Sequence, residues 1–108
     1  MLEPLLIAAL IVPSNPQPQE LKTYAHTYVM RRGWDDQQWQ CLDRIIHRES
    51  RWTYNAKNGN AYGFAQIMNL KPNTPIQKQM ERLMGYLAHR YDDNACNAWA
   101  HHKQRGWY

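Results

Sequence analysis

The residues best suited to chemistry lie in Leu42-Asp43-Arg44-Ile45-Ile46-His47-Arg48-Glu49-Ser50-Arg51-Trp52. On a helix, Leu42, Ile45, Ile46 and Glu49 fall at i, i+3, i+4 and i+7 and share one face. Three apolar members turn that face toward a core. A carboxylate closing such a stripe loses water, which disfavours its charge and predicts a raised pKa. A carboxylic acid kept protonated near neutral pH is what a general acid requires. The structural alternative has Glu49 bent outward at the helix end, or paired with Arg48 or Arg51.

No second acid joins it. Asp35, Asp36, Asp92 and Asp93 read as helix caps and breakers, and Asp43 faces away from the Glu49 stripe. No CxxC or His/Cys spacing marks a zinc site. His101 and His102 are adjacent and point apart on a helix. Neither a metal nor a cofactor is expected.

The elements that must position Glu49 can be read from caps and periodicity. Residues 2–12 form an apolar run broken by Glu3 and Pro4, shorter than the ~20 residues of a membrane-spanning helix. A targeting or weakly membrane-associated role and an ordinary terminus both fit it. Residues 13–19 carry three prolines and read as an extended, non-helical linker, so the folded domain is expected over residues 20–108. A first helix is predicted from Glu20 to Arg32, with Gly33 ending it. The helix carrying Glu49 has Asp35 as N-cap and Gln38 at N3, and Trp34 can staple onto Trp39.

Residues 53–63 are rich in turn formers, and Asn58-Gly59 suits a type I′ turn in a small hairpin or irregular loop. Phe64 to Met68 reads as a short helix. Thr74-Pro75-Ile76-Gln77 has a capping-box pattern opening a long helix to Tyr91, with Met80, Leu83, Met84 and Leu87 inward. Asp92-Asp93-Asn94 breaks that helix and caps a last one through Cys96, Trp99 and His102. The fold class is therefore mainly α, of the α+β kind, with a short hairpin or irregular loop beside a cleft.

A chain of 108 residues suits one small domain. Five Trp and seven Tyr against one Phe favour amphipathic aromatics, which line wet grooves and stack on ligands as well as pack. The net charge of +4 points to an anionic partner, although Arg44, His47, Arg48 and Arg51 spread around the outward side of their helix as a solvated face does. Cys41 and Cys96 would close a long loop if paired, a link of about 4 kcal/mol in the chain-entropy model, and pairing requires an oxidising compartment.

Three motifs stand in order: Arg48-Glu49-Ser50-Arg51-Trp52, Ala61-Tyr62-Gly63-Phe64-Ala65-Gln66-Ile67, and Cys96-Asn97-Ala98-Trp99-Ala100-His101 with Gly106-Trp107-Tyr108. Together they resemble the goose-type lysozyme and soluble lytic transglycosylase superfamily, a lysozyme-like group. The likeness is to the small transglycosylase-like domains of secreted actinobacterial and phage tail proteins. It covers Trp39 to Tyr108. The resemblance implies that Glu49 is the catalytic acid, that Ser50 contacts the reacting sugar, and that Gln66 faces the cleft. It also implies a bridge between Cys41 and Cys96.

Two departures stand out. Ala98-Trp99-Ala100 replaces the family's Ala-Tyr-Asn, removing a hydroxyl and an amide and putting a site role for Trp99 in question. The connection from Met68 to Thr74 is shorter than in relatives.

The expected function is that of a peptidoglycan-cleaving muramidase. A lytic transglycosylase that cuts after N-acetylmuramic acid needs a single Glu, whereas glycosidases that use water commonly employ two carboxylates. Trp52, Tyr54, Tyr62 and Trp99 are candidate sugar-contacting aromatics, each equally open to a packing role. The expected partner is the peptidoglycan glycan strand, with no nucleic acid, and a monomer located outside the cell, in the periplasm or on a virion. A non-catalytic glycan-binding or phage structural module of the same fold is the main alternative. A basic adaptor for nucleic acid or protein is the lesser one.

Overall fold

The computed structural model describes residues 10–108. It is mainly helical with a small antiparallel sheet, an α+β arrangement. The order is α1 (Pro18–Arg31), α2 (Asp36–Ser50), β1 (Lys57–Asn58), β2 (Ala61–Tyr62), β3 (Ile67–Met68), α3 (Ile76–Tyr91) and α4 (Ala95–Arg105). The role expected of residues 2–12 falls mostly on residues 1–9, outside the described ones. Leu10 packs against the core, and Ile11 is exposed.

Helix α1 begins at Pro18, two residues earlier than read from the sequence. Proline is well tolerated at N1, where its missing N–H would have had no intrahelical partner. Glu20 Oε1 accepts the Gln17 amide at 2.8 Å and holds that first turn. The stretch before it is not a free linker either: Pro16 is buried, and Asn15 Oδ1 accepts the Tyr54 hydroxyl at 2.9 Å.

Helix α2 starts as expected. The Asp35 side chain accepts the Gln38 amide at 2.9 Å, a cap of about 1 kcal/mol. Leu42, Ile45 and Ile46 are fully buried, so the stripe that ends at Glu49 faces the core. Asn94 caps α4 by accepting the Asn97 amide at 3.0 Å. Helix α2 packs most extensively against α4, and the disulfide Cys41–Cys96 joins the two with Cα atoms 5.0 Å apart.

The segment between α2 and α3 departs from expectation in three places. The hairpin is present, with Asn58 opposite Ala61, but only Gly59 of its two loop residues has positive φ, at 59°. A type I′ turn needs positive φ at both, so this is the type II′ pattern. Residues 64–68 do not form a helix. Gly63 and Gln66 take positive φ, of 91° and 54°, and Ile67–Met68 returns as β3 beside β2. The hairpin pairing of Tyr62 with Ile67 takes these residues out of helical geometry. Thr74 does not cap α3: its hydroxyl donates to the Lys71 carbonyl, and Pro75 takes the N-cap position without a side-chain bond.

Gln79 of α3 holds this segment in place. It is 1% exposed, and its Oε1 accepts the Phe64 amide at 3.0 Å. Its Nε2 donates to the Tyr54 carbonyl at 3.1 Å and the Thr74 carbonyl at 3.0 Å. A Cβ at position 63 would lie 2.2 Å from Gln79 Oε1, so this contact requires glycine as well as the left-handed backbone does.

Candidate active site

Glu49 occupies the last turn of α2, which closes at Arg51 in the left-handed conformation. Beside it lies a groove of about 400 Å³ between the sheet, α3 and the C-terminal residues. Gln66, Arg82, Tyr86, Trp107 and Tyr108 share its walls with Glu49. Among the described residues lining it, Glu49 has the only acidic side chain.

The acid does not stand in a dry apolar pocket. Its side chain is 19% exposed, and Oε2 lies 2.6 Å from Nε2 of His102 on α4. Neither Arg48 nor Arg51 pairs with it. The Arg48 guanidinium lies over the Trp99 ring instead, 4.9 Å from its centroid. His102 is 4% exposed and lies between two aromatics, Tyr108 at 6.1 Å and Trp99 at 5.9 Å between centroids. Its Nδ1 is buried with no partner among the described residues.

Tyr108 forms the floor behind this pair. Its hydroxyl donates to the Ala65 carbonyl at 2.6 Å, tying the C-terminal end to the segment before β3. Burial pushes its phenol well above the usual tyrosine range, and the nearby Glu49 adds to the rise. Tyr86 and Tyr91 donate their hydroxyls to the Tyr108 main-chain oxygen. Burial also raises the Tyr86 phenol, against a lowering contribution from Arg90.

The structure brings only Gln66 of the other expected site residues to the groove. Its Nε2 donates to the carbonyls of Ala56 at 3.0 Å and Gly63 at 2.8 Å, and its Oε1 accepts from Asn58. These bonds make it a strut of the groove wall. Ser50 is next to Glu49 in the chain, but its hydroxyl donates to the Phe64 carbonyl at 2.7 Å and fastens the loop to α2.

Trp52, expected as a sugar-stacking ring, is 3% exposed. Its indole N–H donates to Asp43 at 2.8 Å, and it packs against Trp39 and Phe64, so it is a core residue. Tyr62 faces the other side of the sheet, lining a separate cavity with Tyr54, Asn15 and Pro75. Residues 61 and 62 alternate across the strand, so Ala61 rather than Tyr62 meets the groove. Trp99 lies behind the Glu49–His102 pair, in a shallow cavity with Arg44 and His47.

His102 is a site residue that the sequence reading does not single out. The signal was present: Ala95, Ala98 and His102 fall at i, i+3 and i+7, the same inward stripe that drew attention to Glu49. Tyr86 and Tyr108 carried no comparable signal.

Comparison with protein families, curated proteins and solved structures finds no match to this chain. Among the described residues, no helix is long and apolar enough to cross a membrane. The disulfide fits an oxidising compartment.

Proposed function

We propose that the domain cleaves peptidoglycan as a muramidase of the lytic transglycosylase type, with Glu49 as its general acid and base. The carrying observation is a lone carboxylate at the end of an inward helical stripe, opening onto a groove with tyrosine, tryptophan, glutamine and arginine walls. The ordered resemblance of the three motifs to lysozyme-like domains adds to it.

In this reading a glycan strand lies in the groove. Glu49 gives its proton to the glycosidic oxygen after N-acetylmuramic acid as the bond from C1 to that oxygen breaks. The substrate's own N-acetyl oxygen holds C1. The Glu49 carboxylate then takes the proton of the sugar's primary hydroxyl, whose oxygen bonds to C1 as the N-acetyl oxygen leaves it, giving an anhydro end. The acid ends protonated, as it began, and no second carboxylate or water is consumed. Trp107, which is 49% exposed, and Tyr86 are the aromatics placed to meet sugar faces. Arg82 gives the same groove a cation for the carboxylates of the peptide stems. A cell-wall substrate and the disulfide together favour action outside the cytoplasm.

The test is incubation with purified sacculi. The wild type should release muropeptides and Glu49→Gln should not, while still sedimenting with the sacculi. A wild type that binds sacculi and releases nothing would support the second reading, a glycan-binding module. The observation favouring that reading is that His102 already engages one oxygen of the acid.

A further inference from the structure

We propose that His102 is a positioning residue that donates its Nε2–H to Glu49 Oε2 and leaves Oε1 as the oxygen that carries the acid's proton. This rests on the reading of Glu49 as the general acid. Glu49 and His102 come from different helices, and their 2.6 Å contact is the close polar link between α2 and α4 at the site.

The argument turns on the far side of the ring. His102 Nδ1 is buried and no protein acceptor reaches it. A hydrogen on Nδ1 would be a buried donor without a partner, which is costly. A bare Nδ1 lone pair is a weaker demand than an unpaired N–H. The tautomer with its single hydrogen on Nε2 satisfies the ring, because that hydrogen points at Glu49 Oε2.

Oε2 accepts from Nε2–H, so the acid's proton sits on Oε1, which has no protein partner among the described residues and belongs to the side chain lining the groove. The ring is held to this arrangement on every side. Tyr108 stacks on one face, and its hydroxyl is committed to Ala65. Trp99 packs alongside, with Arg48 and Lys103 over its ring, 4.9 Å and 5.6 Å from the centroid. Glu49 is the only acid against the ring among the described residues.

The deciding experiment is nitrogen NMR of the imidazoles in the intact, disulfide-bonded protein at pH 8, assigned with His102→Gln. The expected result is a His102 hydrogen on Nε2. A bare Nε2, with the hydrogen on Nδ1, overturns the proposal whatever the activity.

On sacculi, His102→Phe should lower the turnover rate on the order of a hundredfold, as a misplaced acid does, with sacculus binding unchanged. His102→Gln keeps an amide donor at the Nε2 position and should recover most of that loss. Equal loss in Gln and Phe variants that fold as the wild type does would also overturn it. If the wild type releases no muropeptides at all, the enzymatic reading fails separately, and the NMR result still decides which nitrogen of His102 carries the hydrogen.

Discussion

Helices α2 and α4 are joined by buried apolar stripes and a covalent link, whereas the segment from Tyr54 to Leu70 is held largely by side chains bonding to main-chain groups. The groove lies where the two regions meet. Glu49 and His102 come from the first, and Gln66, Ile67 and Met68 from the second. The chemical pair thus sits on a rigid frame, and one wall of the groove sits on a network of polar contacts. Strands of two residues each bury little area, so their position depends on Gln79, Gln66 and Ser50 rather than on their own pairing.

Substituting both cysteines by serine should have the largest effect, lowering stability by about 4 kcal/mol in urea unfolding, because the bridge spans 55 residues. Amide exchange should quicken throughout the chain, since the change acts on the whole unfolded state. Gln79→Leu should cost about 3 kcal/mol, leaving the Phe64 amide and two carbonyls without a partner. Here exchange should quicken first over residues 54–70, with α2 and α4 still protected. Equal quickening in both regions would mean that the contrast between them is not energetic.

Ser50→Ala should cost about 1 kcal/mol and loosen the same segment, through loss of the bond to Phe64. A smaller effect follows from Tyr108. Its phenol ionises near 10.0 in the unfolded chain and well above that when folded. The unfolded state therefore releases that proton first as pH rises. The contribution is intact below pH 10 and is lost as the solution becomes more alkaline, so the thermal midpoint should fall beyond that point. Tyr108→Phe should flatten that fall.

The same contrast explains how much could be read from the sequence. Asp35 and Asn94 announce their helices because a cap is a local bond to an amide three residues on. The stripe of Leu42, Ile45 and Ile46 is equally local, and it led to Glu49. Residues 64–68 read as a helix by composition, whereas Gln66 takes a left-handed conformation secured by its side-chain bond to Ala56 and by the pairing of β3 with β2. Thr74 looked like a cap and instead turned back to Lys71. Trp52 was open to a stacking and a packing role alike because aromatic type says nothing of burial, and it packs. The partner of Glu49 was hidden by distance, 53 residues away.

The most direct measurement is mass spectrometry of sacculi digested by the wild type and by Glu49→Gln in parallel. Anhydro-muropeptides from the wild type, and none from a Glu49→Gln protein of unchanged fold, are the expected result. Muropeptides released equally by both proteins would contradict the assignment of Glu49 as the acid.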